Sequence, residues 1–477
     1  MSKWALFRLA TVGFLLTGAA CFAAANAGGT ETEAQKRDRQ FKAAVADYDA
    51  GHFAEAADKL QSLLPHAPNS FEVRELLGLT YASISQDKKA IEQLQAAVRI
   101  KPDDAAARTN LAASLSHAGE TALAGEQFRK AFELEPHDYT ANHNLGEFYI
   151  QAGKLKEACP LLERAQQVKP DAYDNGYDLA MADFLTGQLS SGRSVIQSLL
   201  ATKNTGELHN LLGQVDEKDN KFVDAAKEYE TAAHIDPSDD NLFAWGSELL
   251  LHRTYEPAVE VFKFATLRYP DSPRLQIGLG MALYARGLYE ESVNALLKAV
   301  DLSPDDPRCY QFLARAYDSS PKLVDEVIQR FKHYAELQPG NARAQYYYAM
   351  SLWKGKRLEQ ADPDPQTVES LLKRSIALDG TQADAHVQLG NFYADQHQYQ
   401  QSIPEYVRAL ELDPNLPDAH YRLGTDYVHV GEKDKAQQEF AVYQKQRADH
   451  LAEDDKERAE VQQFVYAAKS GSGARSQ

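Results

Sequence analysis

Three methionines stand beyond the initiator: Met181, Met281 and Met350. Near them in the chain lie the rings Tyr177, Phe184, Phe243, Tyr284, Tyr346 and Trp353, and the cations Arg274, Arg308, Arg315, Arg343 and Lys354. These residue types do the chemistry of recognition rather than of bond-making. Methionine and aromatic rings adapt to irregular apolar surfaces, Tyr, Trp and Arg dominate binding hot spots, and a guanidinium grips a carboxylate at two points. The side chains of bond-making chemistry are present but scattered. The histidines form no His-Glu-x-x-His, the cysteines no Cys-x-x-Cys, and the glycines no phosphate-cradling loop. His386, His420 and His429 gather late in the chain, where packing accounts for them. No nucleophile, base and acid come together, so the expectation is a chain that is not an enzyme and uses no cofactor or metal.

A period positions these residues. Proline returns at Pro68, Pro102, Pro136 and Pro170, then at Pro237, Pro270, Pro304, Pro339 and Pro414. Between the prolines recur Leu77-Gly78 with Tyr81, Leu145-Gly146 with Tyr149, Leu389-Gly390 with Tyr393, and Leu423-Gly424 with Tyr427. A small residue marks one phase throughout: Ala44, Gly78, Ala112, Gly146, Ala180, Gly213, Gly246, Gly280, Ala314, Ala349, Gly390 and Gly424. Glycine inside a helix costs about 1 kcal/mol relative to alanine, so its return at one phase requires close approach of a second helix. That second helix has its own small residue at Ala56, Ala90, Ala124, Ala158, Ala225, Ala258 and Ala436. Helical apolar spacing, as in Leu94, Ala97 and Val98, fills the interval. The proline then ends the helix, because it cannot continue the hydrogen-bond ladder.

The pattern resembles the tetratricopeptide repeat, a helix-turn-helix of about 34 residues. Copies start near Arg37, Phe71, Ala105, Tyr139, Tyr173, Gly206, Asp239, Pro273, Pro307, Ala342, Ala383 and Pro417. The resemblance implies an all-α, right-handed α-solenoid of about twelve repeats, ended by a capping helix. It covers Arg37 to His450 and leaves no gap for a separate catalytic domain, which needs about 50 residues.

The resemblance also implies that first helices line a concave groove, mainly through repeat positions two, five, nine, twelve and thirteen. The fifth repeat supplies Tyr177, Met181 and Phe184, the seventh Phe243, the eighth Arg274, Met281 and Tyr284. The ninth adds Arg308 and Arg315, the tenth Arg343, Tyr346, Met350, Trp353 and Lys354. Such a groove suits a protein or peptide partner, an extended segment with acidic groups or a C-terminal carboxylate. The family's Lys and Asn clamp is missing, so binding of chaperone tails is not implied. An alternative is a glycan stacked on Tyr284, Tyr346 and Trp353, in polysaccharide export. The groove of the early repeats is polar, with Thr109, His117, His143, Glu147 and Gln151.

The formal net charge is −18, which argues against nucleic acid and anionic membrane surfaces as partners. Residues 1–27 read as a secretory signal peptide: Lys3 and Arg8, an apolar stretch from Leu9 to Leu16, and the small-residue site Ala25-Asn26-Ala27. The expected destination is periplasmic or secreted, in envelope or secretion-related assembly, with no transmembrane segment in the mature chain. An alternative is lipidation at Cys21 and an outer-membrane lipoprotein. Cys159 and Cys309 sit in the fourth and ninth repeats, too far apart for a disulfide; Cys309 is the one expected to be more exposed. Residues 28–36 are a linker, 37–172 repeats one to four, and 206–450 repeats six to twelve. Residues 173–205 form a degenerate fifth repeat, with Gly192 and Asn204 in place of Ala and Pro, and are a candidate hinge. A protruding loop is expected around Lys354 to Pro365, a turn at Ser319-Ser320-Pro321, a capping helix over 451–469 and a flexible tail over 470–477.

Overall fold

The computed structural model describes residues 32–319, 323–357 and 364–448. The expected capping helix, tail and leader, with Cys21, lie outside these residues, as do Ser320, Pro321 and the middle of the expected tenth-repeat loop.

Within them the chain is helical, and helices alternate in pairs. Every expected repeat start from Phe71 to Pro417 is the first residue of a helix, and Arg37 lies within Glu33–Asp49. The second repeat is representative: Phe71–Ser83 has 13 residues and Asp87–Ile100 has 14. Several first helices begin on side-chain caps. Ser70, Asp104 and Asp138 accept from the backbone N–H groups of Val73, Ala107 and Ala141, satisfying donors the helix leaves unpaired. In ten of the repeats the turn between the helices holds one left-handed residue at the same place. Gly51, Gly119, Gly153, Gly187, Gly287 and Gly431 supply it with φ between 70° and 88°. Ser85, Asn220, Arg253 and His397 hold the same place in other repeats, with φ between 56° and 60°.

The glycines at the eighth place of the first helix have a packing reason. A Cβ on Gly78 would stand 2.5 Å from Leu94 Cγ, one on Gly146 2.7 Å from Leu162 Cδ2, and one on Gly390 2.7 Å from Tyr406 Cε1. The second helix therefore approaches with a large side chain set into the missing Cβ, while its own alanines, such as Ala90 and Ala158, are fully buried. Another contact recurs at the fourth place. Arg74, Arg108, Asn142, Tyr310 and His420 each lie 2.7–3.2 Å from the carbonyl of the proline six residues earlier. These bonds give the carbonyls of the loops between repeats a partner within the chain, at prolines that are mostly exposed.

Two compact units divide at Asn204 and Thr205. The fifth repeat, whose second helix Leu189–Thr202 ends just before that point, keeps its two-helix form. A Cβ on Gly192 would stand 3.3 Å from both the Ala180 carbonyl oxygen and the Cβ of buried Asp183, a tight contact that glycine relieves. Two expectations are corrected. Lys354 is not in a loop: helix Ala342–Arg357 runs a turn further than the other first helices. Its last turn is held by Trp353, whose ring centroid is 4.9 Å from Phe392, and by Lys354, which donates to the Tyr317 carbonyl at 2.6 Å. Cys309 is not exposed but wholly buried, its Sγ directed at the Ala299 carbonyl. Cys159 is a packed thiol, and both cysteines are unpaired. No helix among the described residues is long and apolar enough to cross a membrane.

Candidate functional site

In the second unit, first helices of successive repeats pack side by side: Asp239–Leu251 on Pro273–Ala285, and Pro273–Ala285 on Pro307–Ser319. Side chains on their common face leave an apolar depression of about 360 Å³. Phe243, Leu250, Ile277, Met281 and Phe312 line it, and Arg274 and Arg308 stand at its border. Gly278 completes the wall, where it faces the ring of Phe262. Phe243, Met281 and Phe312 are half-buried, so each presents apolar surface at the face while packing on the core behind it.

A second depression of about 480 Å³ lies on the other side of helix Pro307–Ser319. Gln311, Arg315, Asn341, Arg343, Tyr346 and Tyr347 are among its lining residues, and Asp318 and Asp384 also border it. Burial pushes the phenols of Tyr346 and Tyr347 further above a range that already leaves them protonated near neutrality, so both can donate.

The cations on this face are mostly spoken for. Arg274 reaches Asp239 and Asp240, each at 2.5 Å. Arg308 forms a two-point pair with Asp306 at 2.6 and 3.0 Å, and holds that carboxyl below the usual carboxylate range. Arg343 is paired with Asp384. Lys354 binds the Tyr317 carbonyl, lies 5.1 Å over the Tyr317 ring and has Asp318 at 3.5 Å. Arg315 is exposed and has no carboxylate partner among the described residues. The basic stripe read from the sequence is thus largely neutralised by aspartates of the same or neighbouring repeats.

The remaining expected residues divide. Tyr284 and Met350 are half-buried against the core rather than in either depression, with Tyr284 5.3 Å from the Tyr289 ring. Trp353 is also half-buried, and its buried Nε1 has no acceptor among the described residues. Tyr177, Met181 and Phe184 are half-buried in the first unit and line neither depression. In that unit the polar residues largely satisfy one another: His143 Nδ1 lies 3.1 Å from Asn175 Oδ1, Gln151 donates to Glu147 at 3.3 Å, and His117 meets Asp87 at 2.8 Å. Burial lowers the pKa of His143 and raises that of Glu147. His386 and His420 are structural: each is buried and paired across its repeat, with Glu405 at 2.7 Å and Glu439 at 2.5 Å.

The sequence reading passed over Leu250, Ile277, Gly278 and Phe312. Leu250 and Ile277 sit at groove positions but are aliphatic, a type shared with the core, and Gly278 and Phe312 lie one place outside those positions. The pairing of Arg274 was detectable, because Asp239 precedes it by 35 residues, one repeat and one place.

Tetratricopeptide-repeat models match residues 41–105, 109–175 and 243–307, and a TPR-repeat model matches 390–428. The chain belongs to the tetratricopeptide-repeat family. Among curated proteins, the CTR9 homolog of Arabidopsis thaliana is 24% identical over 144 residues, 29% of this chain and 13% of that protein. The chain thus spans only a small part of the length of that relative. Solved tetratricopeptide-type structures are similar at low identity. YrrB, a TPR protein with an unusual peptide-binding site, is 15% identical with TM-score 0.36, covering 38% of this chain and 94% of its own. PilF of Pseudomonas aeruginosa is 20% identical with TM-score 0.36, covering 43% and 95%. Naa15/Naa10 bound to HypK-THB is 15% identical with TM-score 0.35, covering 85% and 68%.

Proposed function

We propose that this protein is a non-enzymatic scaffold that holds an extended segment of a partner protein along the first-helix face of its second unit. The observation that carries this reading is the apolar depression between Phe243, Met281 and Phe312, open on a face built from three successive repeats. Apolar side chains left on a surface and framed by polar ones mark interaction sites. A tetratricopeptide repeat chain has its surface, rather than an enclosed cavity, to work with. The leader read in residues 1–27 supports export, and with it a role in envelope or secretion-related assembly.

The test is affinity capture from envelope extract with the native chain and with Met281→Glu, whose added charge would lie in the depression. Circular dichroism first establishes that the variant keeps its helicity. Partners held by the native chain and lost by the variant are the expected result; identical captures would move binding off this face. N-terminal sequencing of exported material, with Gly28 first, is the result expected for the leader.

A further inference from the structure

We infer, building on the peptide-binding reading above, that the second unit recognises two side chains of its partner at once: an apolar one in the Phe243–Phe312 depression and a carboxylate at Arg315. The two lie about three residues apart in the partner segment.

The first ground is the partition made by one helix. On Pro307–Ser319, Arg308 and Phe312 border the apolar depression. Pro307, Gln311, Ala314, Arg315 and Asp318 border the other. The helix is therefore the ridge between the two subsites, and a segment that enters both must cross it. A helix with its side chains is about 10 Å across. An extended chain advances about 3.3 Å per residue, so the crossing takes about three residues.

The second ground is charge. Arg274, Arg308, Arg343 and Lys354 each already face a carboxylate of this chain. An incoming acid would have to displace those aspartates and leave them unpaired. Arg315 alone of the stripe offers an exposed guanidinium with no such competitor among the described residues. The acids that border its subsite, Asp318 and Asp384, are engaged by Lys354 and Arg343. Tyr346 and Tyr347, as protonated phenols, add donors and ring faces but no opposing charge. The partner chemistry that fits is an extended peptide with an aromatic or aliphatic residue three places from Asp or Glu, in either order.

The test uses the full chain and fluorescein-labelled ten-residue peptides carrying one Phe, with one Glu moved from one to six places away in each direction. Fluorescence anisotropy gives Kd. The tightest binding is expected at a separation of three. Arg315→Gln should weaken that peptide by about tenfold or more, the scale of a lost charged hydrogen bond, and leave its Glu→Gln counterpart unchanged. Kd values indifferent to the Glu position, or to Arg315, overturn the two-point inference. Met281→Glu separates the levels: if it weakens every peptide while Arg315→Gln weakens none, the groove reading stands and the carboxylate subsite falls. If it weakens none, the groove reading falls as well. Failure of every peptide, with sedimentation showing a dimer, would assign the face to a second copy and overturn the proposal.

Discussion

Gly246 and Gly278, from two successive repeats, both abut the ring of Phe262: a Cβ added to either would lie 2.6 Å from its Cζ. Phe262 is fully buried, and its ring has no free end to swing away. Gly278→Ala is therefore expected to overpack the site and cost about 1–3 kcal/mol, seen as a fall of several degrees in the helical melting transition. Adding Phe262→Leu should recover part of the loss. An unchanged melting temperature in Gly278→Ala would show that the ring yields freely.

Ser85 holds the left-handed turn position that glycine occupies at Gly51, Gly119 and Gly153. A non-glycine residue there costs roughly 1–2 kcal/mol, part of which glycine returns as backbone entropy on unfolding. Ser85→Gly should thus stabilise the chain by about 0.5–1 kcal/mol, raising the urea midpoint. A lowered midpoint would mean that Ser85 makes a compensating contact.

Glu75 is buried in the first unit, and burial, together with the charge of Asp104, raises its pKa to about 7. Asn110, which donates to Glu75 at 3.1 Å, and Lys101 oppose the shift, while Glu72 adds to it. In the unfolded chain the group titrates near 4.5. Between these two values the folded state holds the extra proton, so this group makes stability fall as pH rises from about 4.5 to about 7. Glu75→Gln keeps the acceptor for Asn110 and removes the charge. The variant should match the native chain at pH 4 and exceed it by roughly 1–3 kcal/mol at pH 8. Denaturant titrations across that range read the difference directly, and parallel curves would contradict it.

Much of the architecture was written in the sequence, because the two helices meet at places where only a small residue fits. Gly78, Gly146 and Gly390 announce the phase by type alone, and Pro68, Pro102 and Pro136 announce the ends. The candidate face was legible in part. Phe243, Arg274, Met281 and Arg308 were placed on one stripe and do line one depression. Its other walls, Ile277 and Phe312, carry no type that separates surface from core. The neutralisation of Arg343 was harder to see, since Asp384 lies 41 residues on, a separation that departs from the repeat spacing of the Arg274–Asp239 pair. Lys354 looked like a groove cation by position, but its ammonium is held by the end of the preceding first helix.

Cys159 and Cys309 are buried, and burial pushes both thiols up, Cys309 to about 11. Thiolate is the reactive form, so a maleimide should leave both unlabelled in the native protein and modify both after denaturation. Mass spectrometry of a chain expressed from Gly28, which lacks Cys21, should therefore show no adduct under native conditions. Rapid native labelling of Cys309 would mean that its helix opens readily.

Arg74, Arg108, Asn142, Tyr310 and His420 all bring a nitrogen or hydroxyl to the carbonyl of the proline six residues before them. Set in one column by repeat, these letters share no charge, size or shape, and a comparison by letter would score the place as noise. What passes from repeat to repeat there is an address rather than an occupant. Any donor long enough to deliver a proton to it will serve, so composition can drift at that place while the join between repeats stays the same.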